Sequence, residues 1–192
     1  SALLEAMEER QVSVDLETFR LPEPFFVVAT QNPHEQLGTF ALPESQLDRF
    51  LMRVRLGYPD AASERRLLEG DEPREQLAQM VPVLDPAAIA QMQQAVRRVH
   101  RSAPLLDYVQ RLVEHTRARA DLKRGLSPRA ALGLVRAAQA HAFIAGRDAT
   151  LPEDVQAVLP SVVAHRLEHR EAGGGTGPQL AHELIRAVPV PV

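Results

Sequence analysis

The chain has 192 residues, a formal net charge of −3 and no cysteine. That length allows one large or two small domains, the missing cysteine excludes a disulfide framework and thiolate chemistry, and the acidic balance argues against a general nucleic-acid binder. No signal-peptide pattern opens the sequence and no apolar run approaches ~18 residues, so a cytoplasmic protein without a membrane span is expected.

Ala2 to Arg10 reads as a helix with Leu3, Leu4 and Met7 on one face and Glu5, Glu8 and Glu9 on the other. Val12, Val14 and Leu16 then alternate with polar residues, and Thr18 and Phe19 continue in strand-favoured types, which predicts a hairpin turning near Asp15–Glu17. Phe25 to Ala29 is an apolar, β-branched run of the kind buried on both faces of a sheet, ending in Thr30, Gln31, Asn32 and Pro33. Polar residues at the carboxyl end of such a strand lie where open α/β sheets hold ligands. A second strand is predicted over Leu51–Leu56, and strand signals stop at Tyr58-Pro59.

Helices are predicted from there on. Asp60 to Leu68 is short and amphipathic, and Gly70 to Leu84 is a Pro-interrupted linker. Asp85-Pro86 is an N-cap followed by Pro at the first helical position, opening a helix to about His100. A further helix runs from about Leu105 to Ala120, and Ser127-Pro128 repeats the cap-and-proline start. Thr150 or Leu151 begins the last helix of the bundle, which Pro160 should kink or split. Ala172 to Gly177 is a Gly-rich link, and Leu180 to Val188 a short tail helix.

The strings Ala29-Thr30-Gln31-Asn32-Pro33 and Leu42-Pro43-Glu44-x-x-x-Asp48-Arg49-Phe50, with Gly125-Leu126-Ser127-Pro128-Arg129-Ala130 further on, resemble the MoxR family of AAA+ ATPases from Ser1 to about Leu167. The resemblance implies a fold that is mainly α with a small α/β part. Residues 1–58 would be the C-terminal part of an AAA+ core, residues 59–170 a helical-bundle lid, and residues 171–192 a link and tail. It implies Asn32 as the first sensor beside the γ-phosphate, Arg49 as the arginine finger and Arg129, behind Ser127, as the second sensor. The hairpin would point to a ring pore, although a Gly is expected where Leu16 stands. ATP and Mg²⁺, a homo-oligomeric ring of hexameric type, and partners carrying a von Willebrand A domain are implied in the same way.

Lys123 is the only lysine, and Arg124 and Gly125 follow it, so no phosphate loop of the G-x-x-x-x-G-K-[ST] type is present. No acidic Walker B pair follows a strand. The resemblance therefore implies the C-terminal part of an ATPase, whose isolated chain is inactive.

Each candidate has a plainer alternative. Asn32 before Pro33 is also a common turn former. Arg49 could form a surface ion pair with Asp48 or Glu44, worth at most about 1 kcal/mol, whereas a finger contributes roughly 10³ to 10⁵ in turnover. Glu44 could orient Arg49 or sit in a subunit interface. Arg129 falls in the first turn of its helix, where a cation opposes the helix dipole. An anion arriving there explains it better than solvent does. His165 and His169 have the spacing of a shared metal site, but no third ligand accompanies them, so no metal site is assigned. The arginines around Arg97-Arg98 and Arg117-Arg119 read as solvated helix faces. A helical interaction module that binds a partner protein and no nucleotide is the alternative from a different class.

Overall fold

The computed structural model describes residues 2–15, 17–31, 43–70, 77–171 and 177–191. Helix α1 (Ala2–Glu9) leads into β1 (Gln11–Val14) and β2 (Glu17–Arg20), an antiparallel pair in which Gln11 faces Arg20 and Val14 faces Glu17. The turn between them begins with Asp15 at φ 56°, a left-handed conformation that Asp tolerates better than most residues. Leu16, the expected glycine position, lies outside the described residues. Glu5 ties α1 to the hairpin by accepting from Ser13 Oγ at 2.6 Å.

The two other predicted strands do not form. Residues 21–31 and 51–60 are without regular structure, and β1–β2 is the whole sheet among the described residues. The residue types suit strands, but a strand is stabilised by ladder partners, and none is present here for either segment. Their side chains stay exposed instead, Phe26 at 75%, Val28 at 77% and Leu56 at 96%.

After the short α2 (Glu44–Leu47) and the Asp60-capped α3 (Ala61–Leu68), the bundle is built from α4 (Pro86–Arg98), α5 (Ala103–Ala118), α6 (Pro128–Ile144), α7 (Pro152–Val163) and α8 (Gly177–Ala187). Proline at the start of α4 to α7 fixes φ where the missing N–H is not needed. Asp85, Ser102 and Ser127 supply side-chain caps for the first three of these helices. The cap at Ser102 starts α5 two residues before the predicted Leu105. Pro160 does not split α7, which runs unbroken to Val163. The C-terminal helix is larger than predicted and is no detached tail. Leu180, Ala181, Leu184 and Val188 are buried in one core with Tyr108, Leu112, Leu134, Leu159 and Val162.

Polar ties hold the bundle's ends. Asp154 is 1% exposed and its carboxylate receives Arg147 Nη1 at 2.6 Å, His141 Nδ1 at 2.7 Å and the Leu151 N–H at 2.8 Å. Arg117 and Arg119 are not simply solvated. Arg117 Nε donates to Leu126 O at 3.0 Å, and Arg119 joins Asp121 at 2.5 Å to Glu183 of α8 at 2.8 Å. Leu126 N–H donates to the buried Thr116 Oγ1 at 3.0 Å, which places Ser127 at the head of α6.

The segment after α2 is fastened to the bundle chiefly by Arg166, whose side chain is 5% exposed. Its Nε donates to Asp48 Oδ1 at 2.8 Å, its Nη2 to Phe50 O at 2.6 Å and Asp48 O at 3.1 Å, and its Nη1 to Leu51 O at 3.1 Å and to Val162 O. Ser127 Oγ donates to Asp48 Oδ2 at 2.9 Å, and Arg53 N–H to Ser161 O at 2.9 Å. Leu51 lies so close over α6 that a Cβ on Gly133 would stand 3.0 Å from its Cδ1. His165 adds a bond of 2.9 Å from Nε2 to Phe50 O. Burial, then the neighbouring Arg166 charge, pushes the His165 imidazole below its ordinary value of 6.5.

Two outcomes follow for stability. The Arg147 guanidinium, as the largest cause, holds the Asp154 carboxyl well below its ordinary 3.8. A folded value below the unfolded one means that the ion pair stabilises fully above about pH 4 and is lost as pH falls through the folded value. Asp154→Ala should cost about 3 kcal/mol at neutral pH, seen as a thermal midpoint lower by roughly 10 °C. His165 also favours the basic side. Its neutral form is selected by folding, so its contribution is present above 6.5 and declines as pH falls below that value. Protection of the Arg53 amide, with the exchange rate corrected for its intrinsic base catalysis, should therefore fall as pH drops below 6.5, and His165→Gln should flatten that dependence.

Candidate functional site

The candidate residues are carried by three elements. Arg49 sits in the turn after α2, Ser127 caps α6 and Arg129 occupies its first turn, and α1 ends beside them. Ser127 Oγ accepts from Ala130 N–H at 3.0 Å while donating to Asp48, so one hydroxyl both starts α6 and binds the Arg49 segment. Asn32 lies outside the described residues.

Arg49 and Arg129 meet on a single carboxylate. Arg49 Nη1 contacts Glu8 Oε2, and Arg129 Nη2 donates to Glu8 Oε1. The anion that Arg129 attracts is thus a side chain of α1, on the polar face predicted for that helix. Arg49 is the more enclosed of the pair, with 22% of its side chain exposed against 50% for Arg129. The Arg49 contact is one of charge and not of directed bonding. Its Nη1 is buried without hydrogen-bond geometry to any acceptor, and its Nε is buried without a partner. Arg166 is close enough that the Arg129 charge acts on it. Three guanidiniums therefore gather around two carboxylates, Glu8 and Asp48, and one positive charge is left over. An undercompensated, partly buried group of planar donors is suited to phosphate oxygens.

The other candidates lie elsewhere. Glu44 pairs with Arg124 and does not touch Arg49. Asp48 does not pair with Arg49 either, being held by Arg166 and Ser127. His165 turns to Phe50 O and His169 to Asp121 Oδ2 at 3.3 Å, so the two histidines do not share a ligand. Among the described residues no group of three His, Cys, Asp or Glu side chains could hold a metal ion, and no helix is long and apolar enough to cross a membrane. Sequence reasoning missed Glu8 and Arg166. Glu8 is one of several acids on an amphipathic helix, and Arg166 directly follows a histidine that drew attention for its metal-ligand spacing. Only the fold distinguishes them from their neighbours.

The model of the ATPase family associated with various cellular activities matches residues 1–52, and that of the AAA lid domain matches residues 114–184. YeaC of Bacillus subtilis is 40% identical over 195 residues, covering 100% of this chain and 61% of its own. Chaperone MoxR1 of Mycobacterium tuberculosis is 41% identical over 178 residues, covering 87% of this chain and 46% of its own. The crystal structure of a candidate ATPase from Cytophaga hutchinsonii superposes with a TM-score of 0.85 at 34% identity, covering 99% of this chain and 61% of that one. The chain thus spans about three fifths or less of the length of these relatives. By these matches the chain belongs to the MoxR family of AAA+ ATPases.

Proposed function

We propose that this chain is the part of an ATP-hydrolysing, chaperone-like machine that presents cations to the nucleotide. The observation that carries this reading is the meeting of Arg49 and Arg129 on one carboxylate. Phosphoryl transfer asks a protein mainly for positioning and for stabilisation of charge on the transferred group. Two guanidiniums that can share one carboxylate can also share one phosphate. They would then act on the same nucleotide, and if Arg49 is a finger reaching a neighbouring subunit, Arg129 reaches there with it.

The residues present fit a phosphate. Arg49 Nε is buried without an acceptor, and the cluster carries an uncompensated positive charge. ATP supplies the group to be transferred, and this chain's residues orient and neutralise it. Arg49 would meet the phosphate oxygens through its unpaired edge, Arg129 from the first turn of α6, and Ser127 would keep that turn in place. Glu44 stays outside this set, next to Arg124. Asn32 retains its assignment as the group that positions the attacking water, on the strength of the family resemblance. Magnesium is assigned to residues beyond those described.

The exposed runs at 25–30 and 51–58 support the same reading. They have strand character and no ladder partner among the described residues, as expected of strands whose neighbours belong to the portion of the relatives that this chain does not span. Assembly into a ring, six-membered by resemblance, cytoplasmic residence and a von Willebrand A-domain partner complete the proposal. A finger and its target phosphate on different subunits require such an assembly.

In the full-length protein, Arg49→Ala and Arg129→Ala should each lower ATP turnover by roughly 10³ or more while nucleotide affinity changes only a few-fold. Arg49→Lys should not restore turnover, because a point charge cannot reproduce the fork. Steady-state hydrolysis measured beside equilibrium ATP binding checks this, and unchanged turnover in both alanine variants would remove the assignment.

A further inference from the structure

We infer that Glu8 is a built-in placeholder for the phosphate, holding Arg49 and Arg129 together when no anionic ligand is present and yielding them when one arrives. The inference rests on the assignment of these two arginines to an anionic ligand, and it adds a residue that neither motif contains. Its basis is the division of the Glu8 carboxylate, with Oε2 against Arg49 and Oε1 accepting from Arg129. Each oxygen serves a different element, one in the turn after α2 and one in the first turn of α6.

Two guanidiniums drawn to one carboxylate carry like charge and repel each other, so an anion between them is needed to keep both in place. Asp48 cannot fill that position, since its oxygens are occupied by Arg166 and Ser127. Glu8 can, and its place is not that of a structural ion pair. Its side chain is 37% exposed, which lets solvent take over when the carboxylate withdraws. The Arg49 contact lacks hydrogen-bond geometry, so the pair is held by charge alone on that side. A phosphate with more oxygens and more charge would displace such a carboxylate. Arg166, by contrast, has five acceptors around one buried guanidinium and would not exchange. Glu8 is a positioning residue, and its charge competes with the ligand for the same donors.

The test uses the 192-residue chain and inorganic tripolyphosphate, which carries the charge of a nucleotide tail without its base. Isothermal titration of the wild type, Glu8→Gln and Glu8→Gln/Arg49→Ala/Arg129→Ala at low salt should show tighter binding to Glu8→Gln by about three- to tenfold. The gain should vanish in the triple variant. Equal affinity of wild type and Glu8→Gln, absence of binding to both included, would overturn the inference, as would a gain that persists without the arginines. Circular dichroism of each variant reports that the fold is retained. Because tripolyphosphate is not hydrolysed in this experiment, its outcome is separate from whether the arginines support ATP turnover.

Discussion

A buried guanidinium stands at the centre of the junction between the segment after α2 and the helical bundle. Arg166 leaves the C-terminal end of α7 and binds the carboxylate of Asp48 and the backbone carbonyls of Asp48, Phe50 and Leu51. A segment of irregular backbone has carbonyls that no ladder or helix satisfies, and leaving them dry and unpaired would be costly. Arginine suits this task because it offers five donors in a planar fork and keeps its charge even though burial lowers its pKa. The charge in turn is balanced by Asp48, whose second oxygen is occupied by Ser127. The start of α6, the end of α7 and the Arg49 turn are thus parts of one polar junction.

That junction decides where Arg49 and Arg129 stand. Arg49 is next in the chain to Asp48, and Arg129 is two residues beyond Ser127, so the Asp48–Ser127 bond brings their backbones together before either side chain finds a partner. Glu8 then collects both from α1. Core packing does little of this work. The apolar core lies among α5, α6, α7 and α8, and the residues around Arg49 are half-buried at most.

Much of the helical part is legible in the sequence because its signals are local. Asp85-Pro86 and Ser127-Pro128 mark helix starts through side-chain caps and the fixed φ of proline, and both starts are found where those signals stand. The hairpin is legible through its alternation despite a weak turn signal. The strands at 25–29 and 51–56 show the limit of such reasoning. Their composition is right, but ladder bonds come from elsewhere, and residue type cannot report whether a partner is present. The Gly-rich stretch before the C-terminal helix breaks the pattern and makes it look like a tail, while its burial depends on contacts with α5 and α7. Among the candidate residues, Arg49, Arg129 and Ser127 stand together as their motifs suggest. Glu44 stands apart on Arg124, because reach in three dimensions and not proximity in sequence selects an ion-pair partner. Glu8 and Arg166 could not be singled out, since their partners Arg129 and Asp48 lie more than a hundred residues away along the chain.

The central claim is that the Arg166–Asp48 junction makes the Arg49 turn and the helical bundle one body. The chain has no cysteine, so spin labels attach only where cysteines are introduced. Labels at Ser45 on α2 and Arg136 on α6, both exposed, report the separation of the two parts by pulsed dipolar spectroscopy. The account predicts one narrow distance distribution in the otherwise native chain and a broadened one when Arg166→Ala is added. An equally narrow distribution in both proteins would contradict it.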